Sequence, residues 1–197
     1  MPKLQAVVLA AGSSRRFPTN KLLRPLPDRR CLLDLSVHLA SVMTSDVLLV
    51  ISTDPTLQTH CRTHQYPFTI NTQAHTGMAS SIAAAVTTTP DADGWAILLA
   101  DMPCIKPLTL QQLATTWTAH EITLPTYQGQ IGHPVIFSRN WYDALCALQG
   151  DRGARGLLQN NPAAYRLATD DAGVCFDIDT EADWLSYLEQ RSTNSEA

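Results

Sequence analysis

Residues 7–21 read VVLAAGSSRRFPTNK. They continue an apolar run, Leu4–Ala10 (LQAVVLA), that stops short of Gly12 and gives way to two serines, two arginines and, past a short loop, Lys21. An apolar run of this length, interrupted only by Gln5, reads as a strand buried on both faces, the kind found in parallel sheets. In an open parallel sheet ligands sit beyond the carboxyl ends of the strands, so the loop 12–21 is where a ligand is expected. Gly12 admits a backbone conformation and a close approach that a side chain would deny. Ser13 and Ser14 offer hydroxyl and amide donors, and Arg16 and Lys21 bring positive charge suited to phosphate oxygens. The loop fits neither GxGxxG nor GxxxxGKS, which sets aside the dinucleotide fingerprint and the P-loop. A solvated basic loop is the competing reading.

Further along, apolar runs alternate with helical patterns. Leu32, Leu35, Leu39, Val42 and Met43 recur at helical spacing and predict a helix over 32–44. Val47–Ser52 is a second strand, and Asp54-Pro55 starts a helix with Asp as N-cap and Pro in the first turn. Pro67–Asn71 is a short third strand, Met78–Thr88 an alanine-rich helix, Trp95–Ala100 a fourth strand and Leu108–Thr118 a helix entered through Pro107. This alternation predicts an α/β fold with a parallel sheet covered by helices on both faces. After residue 120 the rhythm changes. Ile122–Tyr127, Pro134–Phe137, Tyr165–Leu167 and Val174–Asp177 are shorter segments expected to pair antiparallel at a sheet edge or to form a small flap. Helices are expected over 139–148, 153–160 and 181–190. One domain over 1–191 with a frayed polar tail, 192–197, is the simplest organisation.

The 197 residues suffice for one sizeable core. A net charge of −4 argues against general nucleic-acid binding. No apolar run is long enough to span a bilayer, and Leu4–Ala11 is too short for a signal peptide, so a cytoplasmic protein without membrane partners is expected. The five cysteines are odd in number and widely spaced, with no CxxC, which disfavours a disulfide framework or a structural zinc site. His38, His60, His64, His75 and His120 show no metal-ligand spacing and receive no role.

Other segments carry chemistry. In LLADMPCI (98–105) an aspartate follows a buried strand at the ligand-binding edge. Asp101 there suits a divalent ion that takes one or two carboxylates plus phosphate oxygens. The alternative, a cap for the next helix, places it too early. In FDIDTEAD (176–183), Asp177 and Asp179 alternate on an extended segment and form a second acidic arm, while capping of the last helix by Asp179 or Thr180 is the equal alternative. In NTQAHTGMASS (71–81), Gly77 precedes a helix start that suits an anion or a base edge, or is an ordinary glycine-initiated helix. His133, in Gln130–Pro134, and Arg152 and Arg155, among the glycines of 150–156, suit ligand contact or plain solvation.

Taken in order, LAAGSSRRFPTNK, GMASSIAAAV, LLADMPCI, IGHPVIF, LQGDRGAR and FDIDTEADW resemble the molybdenum cofactor cytidylyltransferases, within the larger group of MobA-like nucleotidyltransferases. The resemblance covers residues 4–188. It implies a Rossmann-like three-layer sandwich, mostly parallel with a small antiparallel edge. It implies transfer of CMP from CTP to a molybdopterin-type cofactor with release of pyrophosphate, and a molybdoenzyme as client. It places Ala11, Gly12, Ser14, Arg16 and Lys21 in the triphosphate loop, with Lys21, Arg16 and Asp101 catalytic. Asp101 and Asp179 become ligands of Mg²⁺, with Mn²⁺ as the alternative, and Asp177 a helper. Asn71, Gly77, Met78 and Ser81 fall near base and ribose; His133, Asp151 and Arg155 fall on the acceptor side. The form Leu-Ala-Ala-Gly resembles cytidylyl rather than guanylyl enzymes. One departure stands out: the family loop continues Arg-Met-Gly, whereas here it is Arg16-Phe17-Pro18, and proline donates no amide. Nucleotidyl transfer to another phosphate, such as a sugar phosphate, and a non-catalytic cofactor carrier remain open on these residues.

Overall fold

Seven consecutive buried residues, Leu4–Ala10, form β1. Side chains alternate across a strand, so β1 feeds two cores. Ala6, Val8 and Ala10 join a cluster with Leu33, Leu39, Leu110, Leu113 and Trp184 on one face. Val7, Leu9 and Ala11 join Ile82, Ala85, Val86, Leu145 and Leu158 on the other. A strand apolar on both sides thus requires helices on both sides, and the result is three layers.

The computed structural model describes residues 2–12, 17, 19–151, 153–159, 161–162 and 164–194. Ser13, Ser14, Arg16, Pro18 and Arg152, named above, lie outside the described residues. The helices are α1 (Leu32–Met43), α2 (Pro55–Thr63), α3 (Met78–Thr88), α4 (Pro107–Thr116), α5 (Tyr142–Cys146), α6 (Arg155–Leu158) and α7 (Glu181–Asn194). The remaining strands are β2 (Val47–Ile51), β3 (Phe68–Ile70), β4 (Gly94–Leu99), β5 (Ile122–Tyr127), β6 (Gln130–Ile131), β7 (Val135–Ser138) and β8 (Ala164–Ala168). Helix α7 continues to Asn194, past the point where the tail begins to look frayed; no Gly or Pro stops it.

The sheet order is β3-β2-β1-β4-β7-β5-β6, with β8 beside β5. β1 pairs parallel with both β2 and β4, whereas β7 runs antiparallel to β4 and β5. The mostly parallel sheet with a small antiparallel part is as expected. Two details differ. β8 pairs parallel with β5, not antiparallel, because the connection from β5 to β8, through β6, β7, α5 and α6, is long enough for a crossover. Val174–Asp177 is not a strand: Ala172–Cys175 is a 3-10 turn, held because the buried Asp171 side chain accepts from Gly173 N at 3.0 Å.

Strand order reverses direction between β1 and β4. In such sheets the crevice outside the carboxyl ends of the two strands is open to a ligand. The bend after β1 and the residues after β4 both lead into it.

Candidate active site

Lys21 reaches this crevice through a short capped turn. Asn20 Oδ1 accepts from Leu22 N at 3.1 Å and opens the 3-10 turn Lys21–Leu23, while Asn20 Nδ2 donates to Asp54 Oδ2 at the head of α2. The Lys21 side chain is only 11% exposed. Its Nζ donates to Asp101 Oδ2 at 2.8 Å, to Asp179 Oδ1 at 3.2 Å and to the Ile178 carbonyl. It also lies 5.9 Å from the centre of the Phe17 ring. Burial opposes the ammonium charge, but Asp101 and then Asp179 outweigh it, and the pKa of Lys21 lies above its ordinary value.

Asp101 follows β4 by two residues and is not the cap of α4, whose N-cap is Lys106. Its backbone carbonyl accepts from Ile178 N at 3.0 Å, which docks the acidic segment onto the end of β4. Asp179 does not cap α7 through its side chain either. Thr180 and Asp183 do that reciprocally: Asp183 N donates to Thr180 Oγ1 at 3.2 Å, and Thr180 N to Asp183 Oδ2 at 2.7 Å. With the cap supplied by Thr180, the Asp179 carboxylate turns to Lys21. Asp177 lies close enough that burial, then the charges of Asp179 and Asp101, lift its carboxyl above the ordinary carboxylate range. Among the described residues, the carboxylates of Asp101, Asp179 and Asp177 gather around Lys21 as a set of hard oxygen donors. This set fits Mg²⁺ or Mn²⁺.

The antiparallel strand β7 delivers a further side chain. Ile97 pairs with Val135, so His133, two residues earlier, stands at the carboxyl end of β4. His133 N donates to the Val174 carbonyl, and its ring lies against the Ile97 backbone in the field of Asp101. Burial holds the imidazole below its ordinary pKa, hence neutral, and Nδ1 is buried without a partner among the described residues.

The nucleotide-side and acceptor-side segments meet each other. Gly77 has φ of +119°, and a methyl group there would overlap the Gly150 carbonyl and the Asp151 carboxylate. Ala79 N donates to Gly150 O at 3.2 Å, and Gly153 packs on Met78 Sδ. The amide hydrogens of Asn71 go to Ser80 Oγ and Ser81 Oγ, and its Oδ1 accepts from Gln73 N. Asn71 therefore ties the turn to the first residues of α3. Arg155 is exposed at the start of α6. Gly12 departs from the sequence reading: its φ is not left-handed, and a methyl group there would meet no atom within 4 Å. Among the described residues, none demands glycine at this bend by contact with a side chain there.

Residues 6–167 match the MobA-like NTP transferase domain. The chain is a MobA-like nucleotidyltransferase. It is 30% identical over 196 residues to the purine catabolism protein PucB of Bacillus subtilis (strain 168), with 93% of this chain and 95% of PucB covered. Among solved structures it is similar to Rv0371c from Mycobacterium tuberculosis H37Rv, at 28% identity and TM-score 0.80, with 96% of this chain and 99% of the other covered. It is likewise similar to the Rv0371c complex with manganese, at 26% identity and TM-score 0.79, covering 95% and 98%.

In this MobA-like nucleotidyltransferase one organising residue escaped the sequence reading. Asp171, 1% exposed, accepts from Lys106 N and Thr109 Oγ1 at the head of α4 as well as from Gly173 N. It locks the loop after β4 to the segment that carries Asp177 and Asp179. The Asp-x-Gly spacing of 171–173 was the available signal, since an aspartate two residues before a turn amide closes an Asx turn.

Proposed function

We propose that this nucleotidyltransferase is a cytoplasmic cytidylyltransferase that moves CMP from CTP to a molybdopterin-type cofactor destined for a molybdoenzyme. The observation that carries the reading is the convergence of Lys21, Asp101 and Asp179 beyond the ends of β1 and β4. Support for cytidine and for the pterin acceptor comes from Ala11 in the Leu-Ala-Ala-Gly bend and from His133, Asp151 and Arg155.

In this reading a terminal phosphate oxygen of the acceptor attacks the α-phosphorus of CTP, the bond from that phosphorus to the bridging oxygen of the β-phosphate breaks, and pyrophosphate leaves. The triphosphate lies over the Gly12 backbone, in the loop to which the resemblance assigns Ser14. Lys21 and Arg16 neutralise charge that grows on the leaving pyrophosphate. Asp101 and Asp179, with Asp177 beside them, are the residues that hold a divalent ion. That ion, Mg²⁺ or Mn²⁺, supplies charge neutralisation on the phosphates when bound. Gly77, Met78 and Ser81, braced by Asn71, form the wall beside base and ribose. Neutral His133 offers Nδ1 as a hydrogen-bond acceptor on the acceptor side.

Pyrophosphate release with CTP, GTP, ATP and UTP in turn, with and without molybdenum cofactor, tests the proposal. Release is expected with CTP and only when the cofactor is present. Release with a sugar phosphate instead, or cofactor binding with no release under any condition, overturns it. A second measurement isolates the bend. Gly12→Ala is expected to leave the melting temperature unchanged, because the methyl group meets none of the described residues, yet to raise KM for the nucleotide severalfold. An unchanged KM removes the triphosphate from that bend.

A further inference from the structure

Cys31, the N-cap of α1, Asp34 in its first turn and His60 in the middle of α2 converge on one point. Cys31 Sγ donates to Asp34 Oδ2 at 3.1 Å, and His60 Nε2 lies 2.8 Å from Asp34 Oδ1 and 3.7 Å from Cys31 Sγ. One ligating atom from each residue lies within 4.8 Å of the other two. A capping box accounts for part of this, since Cys31 N donates to Asp34 Oδ2 at 2.8 Å. It does not require a sulfur at 31 or an imidazole at 60.

We propose that Cys31, Asp34 and His60 form a second metal site, for a divalent cation of the zinc class, separate from Asp101 and Asp179. A tetrahedral ion with sulfur at about 2.3 Å and nitrogen or oxygen at about 2.0–2.2 Å keeps its ligands roughly 3.3–3.7 Å apart. The cluster needs only a small outward adjustment to reach that spacing. Thiolate and imidazole select zinc-like ions, whereas the all-oxygen set at Asp101 suits Mg²⁺ or Mn²⁺. Tyr66 Oη donates to Asp34 Oδ1 at 3.1 Å and orients the carboxylate from behind, as outer partners of metal ligands do. A cleft of about 460 Å³, lined by His60, His64, Leu23 and neighbouring threonines, opens beside the cluster. It shares His60 with the cluster.

A nucleophilic role for the thiol fits less well. Burial, with the Asp34 carboxylate adding to it, pushes the Cys31 thiol up to about 12, so it stays protonated at neutral pH. Metal binding breaks the S–H bond and forms a metal–sulfur bond, with the proton passing to solvent. His60 Nε2 points its hydrogen at Asp34 Oδ1 in the metal-free cluster, so metal binding also requires the ring to move that hydrogen to Nδ1, which frees the Nε2 lone pair. Histidine spacing along the chain hides the site because its ligands lie on two helices, 29 positions apart at the extremes.

Titration of the full-length, metal-stripped protein with Co²⁺ tests the assignment. One equivalent is expected to give a near-ultraviolet sulfur-to-cobalt charge-transfer band with visible bands of tetrahedral intensity, displaced by Zn²⁺ but not by Mg²⁺. The charge-transfer band should vanish in Cys31→Ser and survive in Asp101→Asn. Tyr66→Phe should weaken Co²⁺ binding by about tenfold, since it removes only the outer partner. If Cys31→Ser does not fold, His60→Ala reads the same site, and loss of the band there supports it equally. Absence of the band in the unaltered protein, or its persistence in both Cys31→Ser and His60→Ala, overturns the proposal.

Discussion

Replacing Lys21 by methionine should abolish most turnover and at the same time tighten binding of Mn²⁺ to the nucleotide-free protein. The two effects have one cause. Lys21 Nζ stands 2.8 Å from Asp101 Oδ2 and 3.2 Å from Asp179 Oδ1, on the carboxylates proposed to hold the ion. Without nucleotide, the ammonium and the metal compete for the same negative field. When a triphosphate arrives it brings its own charge, and Lys21 has a second set of oxygens to turn to. Methionine keeps much of the stem and removes the charge. Turnover is expected to fall roughly 10²–10³-fold, the size of effect seen when one charge-stabilising donor is lost. Mn²⁺ affinity is expected to rise on the order of tenfold, equivalent to about 1.4 kcal/mol. Electron paramagnetic resonance of unbound Mn²⁺ measures the second effect without any turnover. If Mn²⁺ binds Lys21→Met no more tightly, lysine and metal do not share these carboxylates. If turnover is unchanged, Lys21 has no part in the chemistry.

The second large effect is expected at Gly173, remote in sequence from the bend at Gly12. A methyl group at Gly173 would overlap the carbonyl of Cys104, backbone against backbone, with the amide of Ile105 at 2.8 Å. No side-chain rotation relieves such a contact. The strain falls on the joint where Asp171 ties the loop after β4 to the acidic segment. Overpacking of this kind costs about 1–3 kcal/mol, and a backbone clash belongs at the upper end. For a domain of this size that corresponds to a melting temperature lower by roughly 6–12 °C. Activity should fall further than stability explains, because Asp179 and Asp101 lose their common anchor. Thermal unfolding and turnover of the folded fraction separate the two. A Gly173→Ala protein with unchanged melting temperature would show that the two loops are not wedged together as described.

Much of the fold is legible in short windows. Leu4–Ala10 and Met78–Thr88 occur with the bounds that apolar runs and alanine content predict. Asp54 accepts from Thr56 N with Pro55 in the first turn, as the dipeptide implies. Each depends on residues a few positions apart, where propensity, capping and period act. Site chemistry was legible in residue type but not in partnership. Lys21 reads as a phosphate-seeking cation, yet its contacts are carboxylates 80 and 158 residues away. Whether Asp179 or Thr180 caps α7 is undecided by spacing, because both are good caps; the side-chain exchange between Thr180 and Asp183 resolves it. Gly12 reads as a position needing special backbone freedom, whereas its φ is not left-handed.

From residues alone follow the alternating strands and helices, the glycine-ended first strand and the motif order that marks a MobA-like nucleotidyltransferase. The arrangement of β7 and β8, the neutral His133 at the end of β4, the lysine held between two aspartates and the meeting of Cys31 with His60 follow only from the folded chain. The reason is physical. Hydrophobic period and local capping act within a turn or a strand, whereas these contacts depend on sheet order, register and crossover length, which bring together segments that no short window contains.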